Sequence, residues 1–385
     1  MDGDVLLTGA TGFLGREVLV RLGSKGASVR ALVRAPDDAR AQRRVDDALA
    51  ERGGDEPRGD VRALAADLQA PRLGLPADRY DELAASTATI VHCAASVSFD
   101  QPLADARAIN VEGTRRMLAF AERCSGLRRF CHVSTAYVAG DHRGAFGEDD
   151  LEVGQRFRNT YEQTKFEAER LVRRRRRRLP VQILRPSIVV GERGSGWTGS
   201  FNVLYTPLKL YARGALATVP GRAGAPVDVV PVDYVADAIA ELCQGPESDN
   251  RTYHLVAGRD ASTVGRLMAL AARELGRPRP AAMPPALFRG VAEPMLRRRG
   301  GAGAQRVLGQ ASVFFPYFAS RVRYDDVRAR RRLRSAGIEV SCVDDYFPEL
   351  VRYAELARWG REPVSLGDAR VLRRPRRPRP AAHAR

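Results

Sequence analysis

Three glycines near the amino terminus constrain the fold of this chain more than any other feature. Gly9, Gly12 and Gly15 lie in the segment TGATGFLG, directly after an apolar run and at the start of an amphipathic stretch. In a strand–turn–helix unit the first glycine permits the tight turn, the second lets backbone amides approach a pyrophosphate, and the third lets helix and strand pack closely. The segment therefore predicts a dinucleotide site. The residues expected to contact the dinucleotide here are Gly9, Thr11, Gly12, Phe13, Leu14 and Gly15.

The first 190 residues alternate short apolar runs with longer amphipathic ones. This alternation is typical of parallel strands covered on both faces by helices. Right-handed crossovers then predict an α/β fold with a doubly wound parallel sheet of the Rossmann type. The predicted strands are Val5 to Thr8, Ser28 to Val33, Val61 to Ala65, Ile90 to Cys93, Phe130 to Val133 and Val181 to Leu184. The predicted helices include Phe13 to Lys25, Asp38 to Arg52, Ala104 to Arg123 and Asn159 to Arg178.

After Pro186 the alternation loosens, which predicts a second, smaller α/β substrate domain made of separate pieces of chain. The dinucleotide-binding domain is predicted to span residues 1–190, and residues 225–245 are predicted to return to it, with a strand at Val227 to Val230. Residues 191–224 and 246–360 remain for the smaller domain, including a strand at Thr252 to Val256. Residues 361–385 are rich in arginine and proline, so we expect a disordered basic tail.

One arginine bears on the choice between the two nicotinamide dinucleotides. Sites that prefer NAD place an acid about 20 residues beyond the glycines, whereas NADP sites use arginine for the 2′-phosphate. Arg34 ends the second predicted strand, nineteen residues after Gly15. Asp37 and Asp38 come later and are typical of a helix start. We therefore expect NADP(H) to be preferred over NAD(H), the alternative being that Arg34 is an ordinary exposed arginine.

Tyr161 and Lys165 form the second informative pattern. Their spacing of four places both side chains on one face of a helix. An ammonium group near a phenol favours the phenolate and is expected to lower the pKa of Tyr161. Upstream, Ser134 and Thr135 end the fifth predicted strand, where a hydroxyl can face the cofactor crevice. Capping of the strand end is the alternative interpretation for these two hydroxyls.

Charge and cysteine content exclude several classes of protein. The net charge is +17, but thirteen of the positive charges lie in Arg173 to Arg178 and in the last sixteen residues. We therefore do not expect nucleic-acid binding, and we interpret the arginine run as a solvated helix end or as a patch for acidic carrier protein, coenzyme A phosphates or anionic lipid. The five cysteines form no CxxC pair and no zinc-like cluster with histidine, which predicts a reduced, cytoplasmic location and no metal. Because the chain starts with acidic residues, we expect no secretory signal. Because it has no long apolar run, we expect no membrane span.

Taken together, these residues resemble the extended short-chain dehydrogenase/reductase family, whose pattern combines TGxxGxxG, a Ser/Thr strand end and YxxxK. The resemblance implies that Tyr161 is the acid/base, that Lys165 holds the nicotinamide ribose, and that Thr135, or alternatively Ser134, polarises the substrate carbonyl. It also implies a set of further cofactor contacts. These are Asp67 and Leu68 at the adenine, Ala94, Ala95 and Asn110 on the cofactor-side loop and helix, and Pro186 and Ser187 at the nicotinamide.

Several segments resemble one branch of that family, the fatty acyl-CoA reductases and thioester reductases. They are HCAASVSFDQPL, STAYVAGDHRG, RPSIVVGERGSGWTGSFNVLYTPLKLYARG and VDVVPVDYVADAI. This resemblance implies NADPH-dependent reduction of an acyl thioester to an aldehyde, with further reduction to the alcohol left open. The substrate would be an acyl-coenzyme A or an acyl group on a separate carrier protein, because no adenylation or carrier domain precedes these segments. Peripheral membrane contact also stays open.

Two rival functions keep the same fold. A sugar-nucleotide or hydroxysteroid dehydrogenase would share the cofactor, and a non-catalytic NADP sensor would bind it without turnover. Intact Tyr161 and Lys165 argue against the sensor. In the smaller domain, Trp197 is flanked by glycines and is interpreted as a gate to an acyl pocket.

Overall fold

The computed structural model describes residues 3–54, 57, 59–201, 203–245, 250–288, 290, 294 and 314–372. Its strands are β1 (Asp4–Thr8), β2 (Val29–Val33), β3 (Val61–Ala65), β4 (Thr87–His92), β5 (Arg129–Val133), β6 (Arg143–Phe146), β7 (Val181–Pro186), β8 (Ile188–Val190), β9 (Thr218–Pro220), β10 (Pro226–Val227), β11 (Val229–Pro231), β12 (Thr252–Leu255), β13 (Ser262–Thr263), β14 (Ala281–Met283) and β15 (Arg321–Tyr324).

The helices are α1 (Phe13–Ser24), α2 (Asp38–Arg52), α3 (Ala77–Ser86), α4 (Leu103–Arg107), α5 (Gly113–Ala121), α6 (Thr160–Arg174), α7 (Tyr205–Ala212), α8 (Val232–Gln244), α9 (Val264–Leu275), α10 (Pro285–Leu287), α11 (Val327–Arg334), α12 (Val343–Leu356) and α13 (Leu366–Val371). Short 3₁₀ segments cover Pro71–Gly74, Ala136–Ala139, Gly258–Asp260, Phe315–Ala319 and Arg358–Gly360, and a π-helical turn covers Ala108–Glu112.

Seven parallel strands form the central sheet, in the order β12-β7-β5-β4-β1-β2-β3. Successive side chains of a strand face opposite sides. Accordingly, Val5 and Leu7 pack in one core with residues of α1 and α8, whereas Leu6 packs on the other face with residues of α3 and α5. Helices thus cover both faces, and the predicted doubly wound parallel sheet is confirmed.

Two strands differ from the sequence prediction. The segment expected to return to the sheet at Val227 to Val230 is divided between β10, which pairs with β13, and β11, which pairs with β8, each in a separate two-stranded sheet. The seventh strand is β12, which the sequence assigned to the smaller domain, and it pairs with β7. Both segments are short and buried. Such runs predict a strand but do not tell which partner it pairs with.

The carboxyl-terminal segment also differs from its prediction. Residues 361–372 were expected to be disordered, yet α13 forms there, with Leu366 and Ala369 buried against Trp197 and Tyr353. Ser365 caps this helix by accepting a hydrogen bond from the Asp368 amide at 3.1 Å. The prediction failed because it was based on the arginine-rich composition of the whole segment, which does not indicate that Leu366 and Ala369 are buried. The remainder of the predicted tail, residues 373–385, lies outside the described residues.

Candidate active site

The glycine turn joins β1 to α1 with little free space. Gly9 has a φ of +80°, which favours glycine, and a Cβ there would lie 2.8 Å from the Ala94 amide nitrogen. A Cβ on Gly15 would lie only 1.9 Å from the Gly9 carbonyl oxygen. These two close approaches explain the residue type at each position. They bring the amino-terminal end of α1 to the carboxyl edge of the sheet.

A cavity of about 1240 Å³ opens at this edge and brings together nearly all of the predicted site residues. Its walls include Gly9, Thr11, Gly12, Phe13, Leu14, Gly15, Arg34, Asp67, Leu68, Ala94, Ala95, Ser134, Thr135, Tyr161, Lys165, Pro186 and Ser187. Parallel strands present their carboxyl ends at one edge, so residues far apart in the chain meet there.

Asn110 is the predicted contact that does not line this cavity. It is buried in the π-helical turn, where its Oδ1 accepts a hydrogen bond from the Ser96 amide at 2.7 Å. Its Nδ2 donates to the Ser96 carbonyl at 3.0 Å and to Thr164 Oγ1 on α6 at 2.9 Å. Asn110 therefore ties the loop after β4 to the helix that carries Tyr161, and in this structure it supports the cavity wall from behind.

Ser134 and Thr135 point in different directions. The Ser134 hydroxyl donates to Glu169 Oε2 at 2.8 Å, inside a buried network in which Arg185 Nη2 also binds Glu169, at 2.7 Å. The Thr135 hydroxyl instead donates to the Pro186 carbonyl oxygen at 3.3 Å and accepts from the Tyr137 amide at 3.2 Å, and the Thr135 side chain interacts with the Tyr161 side chain. Of the two hydroxyls, therefore, the one on Thr135 lies next to Tyr161.

The pKa of Tyr161 is shifted in the direction opposite to the prediction. Desolvation raises it to about 12, and the interaction with the Thr135 side chain opposes this only in part. Lys165 Nζ donates to the Val133 carbonyl oxygen at 2.7 Å, and burial lowers the pKa of Lys165 to about 8. The predicted lowering by Lys165 is wrong for this structure, because the loss of hydration around the phenol dominates. Tyr161 is consequently protonated at neutral pH and is suited to donate a proton.

The nucleotide end of the cavity contains one arginine that the sequence prediction missed. Arg34 and Arg44 are both exposed at the rim, and an Arg44 guanidinium nitrogen donates to the Arg34 carbonyl oxygen. Asp67 also lines this end, and its Oδ1 accepts a hydrogen bond from the Gln69 amide at 2.9 Å. Asp37 caps α2 by accepting from the Arg40 amide at 2.7 Å, which agrees with its interpretation as a helix-start residue. Arg44 lies on α2, 10 residues after Arg34. The motif specifies a position near the end of the second strand, so it did not indicate Arg44.

Aromatic side chains around Tyr161 were also missed. The rings of Phe99 and Tyr161 lie 5.7 Å apart, and those of Phe99 and Tyr317 lie 5.8 Å apart. Tyr317 accepts a hydrogen bond from Asn159 Nδ2 at 2.8 Å and also bonds the Glu162 side chain. Asn159 caps the start of α6, since its side chain accepts from the Glu162 amide. The 3₁₀ segment Phe315–Ala319 is thereby attached to the helix that carries Tyr161.

Trp197 does not occupy a gate position. It is 2% exposed, the Arg16 guanidinium lies 4.9 Å from its ring centroid, and its ring is 6.2 Å from that of Phe13. It packs in a core with Tyr353 and α13. A side chain enclosed in this way cannot swing without opening that core, so the gate interpretation is wrong for this structure.

Three of the six arginines in the run Arg173 to Arg178 bond to other segments or side chains of the protein. Arg173 donates to Glu169 at 2.9 Å, Arg175 pairs with Glu122 at 3.0 Å, and Arg176 donates to Thr252 at 2.7 Å. The exposed members are Arg174, Arg177 and Arg178. The run therefore joins α6 to its neighbours as well as facing solvent.

The cavity fits a nicotinamide dinucleotide. Gly12 leaves open space on its cavity side, since a Cβ there would meet only the Gly9 oxygen, at 3.3 Å. The amino-terminal end of α1 borders that space and favours negative charge. The same cavity is also lined by Pro186, Ser187 and Tyr161. Within the described ranges, no group of three or more His, Cys, Asp or Glu side chains is placed to hold a metal ion. In the same part of the chain, no helix has the length and apolar character needed to cross a bilayer.

Comparisons with known proteins agree with this geometry. The family model described as "Male sterility protein" matches residues 7–239. Human fatty acyl-CoA reductase 1 is 35% identical over 274 residues, which cover 61% of this chain and 53% of that protein. The isonitrile lipopeptide synthase of Streptomyces coeruleorubidus is 35% identical over 265 residues, or 64% of this chain and 17% of the synthase.

A solved structure extends the similarity to almost the whole chain. The terminal R domain from the myxalamid PKS-NRPS biosynthetic pathway superposes with a TM-score of 0.81 at 27% identity, covering 94% of this chain and 93% of that domain. This chain thus spans about half the length of the curated reductase and nearly all of the R domain. It belongs to the male sterility protein family and, among the extended short-chain dehydrogenase/reductases, to the branch of the fatty acyl-CoA reductases and thioester reductases.

Proposed function

We propose that this protein reduces acyl thioesters to aldehydes with NADPH. The observation that carries the proposal is the meeting of the Tyr161 and Thr135 side chains in the cavity that the glycine turn also lines. The names of the human reductase and of the myxalamid R domain support the same class of reaction. Reduction of the aldehyde to the alcohol would use the same groups a second time.

Arg34 and Arg44 support a preference for NADPH. Both side chains border the cavity beyond the carboxyl end of β2, where a 2′-phosphate is recognised in proteins of this fold. Guanidinium groups pair with phosphate through charge-assisted hydrogen bonds. The carboxylate at this end, that of Asp67, already accepts the Gln69 amide. The glycine turn and α1 would hold the pyrophosphate.

The residues around Tyr161 would act on the substrate carbonyl. A bound nicotinamide supplies hydride to the carbonyl carbon. As the carbonyl oxygen gains negative charge, the hydroxyls of Tyr161 and Thr135 stabilise it by hydrogen bonding, and Tyr161 transfers its proton to that oxygen. Lys165, whose ammonium group donates a hydrogen bond to the Val133 carbonyl oxygen, would place positive charge near the reacting groups. In the hemithioacetal so formed, the carbon–sulfur bond then breaks. Its hydroxyl returns the proton to the Tyr161 phenolate as the carbonyl re-forms, the thiolate leaves and takes a proton from solvent, and the aldehyde remains.

We place the reaction in the cytoplasm. All five cysteines, Cys93, Cys124, Cys131, Cys243 and Cys342, are free thiols. Free thiols are typical of a reducing compartment. Fluorescence of a tagged full chain in its native cell tests this location, and signal confined to a secreted fraction would contradict it.

The decisive experiment measures NADPH oxidation with an acyl-coenzyme A and identifies the product. Tyr161→Phe removes the proton donor, so kcat/KM should fall by a factor of about 10² to 10⁴. The Kd for NADPH should change less than about twofold, because the ring remains. Tyr80→Phe is the matched control, since Tyr80 packs with Phe120 on a face of the sheet away from the cavity.

Two outcomes would contradict the proposal. Retention of most of the activity by Tyr161→Phe would remove this residue from the reaction. Turnover of a UDP-sugar or a ketosteroid by the unaltered protein, with none of any acyl thioester, would assign the site to a different substrate class.

A further inference from the structure

A second cavity, of about 500 Å³, adjoins the active site and is strongly basic. Four arginines line it: Arg143, Arg158, Arg222 and Arg321. Among its described lining residues Asp141 is the sole acid, and that carboxylate already accepts hydrogen bonds from the Arg156 amide at 2.8 Å and the Arg156 side chain at 3.2 Å. The cavity therefore carries an excess of positive charge.

Two of these arginines face each other across paired strands. Arg321 of β15 and Arg143 of β6 are register partners, and both are exposed. Like charges on facing positions of neighbouring strands repel and destabilise the pair. Within the described residues, neither guanidinium forms an ion pair with an acid. An anion held between them would remove the repulsion.

The second cavity shares a wall with the active site. Phe314 and Tyr317 face the large cavity, whereas Phe315, Pro316 and Ala319 of the same segment line the small one. Arg158 spans this wall: its guanidinium lies 5.5 Å from the Tyr317 ring centroid and 3.2 Å from Glu162 Oε1. The segment that carries Tyr317 thus lies between Tyr161 and the arginines of the small cavity.

We propose that the small cavity binds the nucleotide end of a coenzyme A thioester. This inference rests on the proposed function, which places the thioester carbonyl at Tyr161. Coenzyme A carries a diphosphate, a 3′-phosphate and an adenine ring, whereas the pantetheine of a carrier protein is attached through a single phosphodiester. The former matches the three guanidinium groups that form no ion pair with an acid within the described residues, those of Arg143, Arg222 and Arg321, whereas Arg158 is already paired with Glu162. Phe315, Pro220 and Pro316 add flat apolar surface of the kind on which an aromatic base stacks.

Binding of free coenzyme A tests this assignment independently of catalysis. Calorimetric titration of the full chain is performed with saturating NADP⁺, so that the adenine end of coenzyme A does not occupy the cofactor site. The double variant Arg143→Ala/Arg321→Ala should raise the Kd for coenzyme A at least tenfold and leave that for pantetheine unchanged. Arg323→Ala is the matched control, because Arg323 lies on the exposed face of the same strand but does not line the cavity.

Steady-state kinetics provide the second readout. The double variant should raise the KM for acyl-coenzyme A about tenfold with kcat retained, and leave the KM for the matching acyl-pantetheine unchanged. An unchanged Kd for coenzyme A overturns the assignment. An effect on a carrier-bound acyl group alone also overturns it and gives the cavity to the carrier.

The two proposals fail in distinguishable ways. Reduction of acyl-coenzyme A with no dependence on Arg143 and Arg321 refutes the small cavity and leaves the proposed function. Binding of coenzyme A that requires both arginines, with no NADPH oxidation by any thioester, supports the cavity and refutes the reaction.

Discussion

The two walls of the large cavity are built in different ways. Most of the nucleotide wall comes from the first 70 residues: Gly9 directly follows β1, Arg34 directly follows β2, and Gly15 lies in the first turn of α1. The opposite wall is assembled from segments far apart in the chain. Phe99 contacts Tyr317 there, and Tyr317 is attached to α6 through Asn159. One wall is determined by backbone sterics and the other by long-range side-chain contacts.

This difference determines what a substitution does on each side. At Gly9 and Gly15 of the nucleotide wall, a single methyl group collides with backbone, which has nowhere to move because the sheet lies behind it. On the opposite wall the contacts are between side chains, which adjust by small movements. We therefore expect effects on folding and cofactor binding from the first wall, and effects on substrate binding from the second.

The largest effect is expected from Gly15→Ala. Its Cβ would lie 1.9 Å from the Gly9 carbonyl oxygen, so α1 must separate from β1. Overpacking of this kind should lower the free energy of unfolding by about 3 kcal/mol, as measured by chemical denaturation. Gly12→Ala is the comparison, since its Cβ meets only one atom, at 3.3 Å. That variant should remain folded and lose at least about tenfold in NADPH affinity. Equal stability of the two variants would contradict the steric argument.

A smaller, selective effect is expected from Arg34→Ala. Loss of one guanidinium at the 2′-phosphate should raise the Kd for NADPH about tenfold, equivalent to about 1.4 kcal/mol, and change that for NADH less than about twofold. Fluorescence titration with both cofactors measures the ratio. Arg43→Ala is the control, because Arg43 is exposed on α2 next to Arg44 and does not line the cavity. A parallel loss of both cofactors would refute the phosphate assignment.

The smallest effect is expected from Tyr317→Phe on the opposite wall. The substitution keeps the ring but removes the hydroxyl that accepts from Asn159 and bonds Glu162. Both interactions of the hydroxyl are lost; at about 0.5 kcal/mol each, together about 1 kcal/mol, KM for the acyl thioester should rise about fivefold while the Kd for NADPH stays the same. Steady-state kinetics and cofactor titration together separate the two walls. A change in NADPH affinity as large as the change in KM would show that the walls are not independent.

Local patterns in the sequence predicted the parts of the site that depend on local geometry. The glycine turn is specified by three positions within one strand–turn–helix unit, and the spacing of Tyr161 and Lys165 on one helix places both side chains in the same cavity. The α/β class followed from the alternation of apolar runs. In each case the relevant physics acts over a few residues.

Such local patterns could not predict the contacts between segments that are distant in the sequence. Nothing in the run Thr252 to Val256 indicates that it, and not Val227 to Val230, completes the large sheet, because both are short and buried. Ser134 and Thr135 are adjacent at the end of a strand that is buried on both faces, so their sequence context does not tell which hydroxyl turns toward Tyr161. The contact of Phe99 with Tyr317 likewise requires the fold.

The amino-acid sequence by itself determined the dinucleotide turn, the parallel sheet and the helix that carries Tyr161 and Lys165, because sterics and helical periodicity act between near neighbours. Only the tertiary structure decided which strand ends the sheet, that Thr135 and not Ser134 meets Tyr161, and that Arg143 and Arg321 face each other. It also decided the direction of the pKa shift at Tyr161. That shift depends on the hydration that the phenol loses, and hydration is set by every segment that packs around the site.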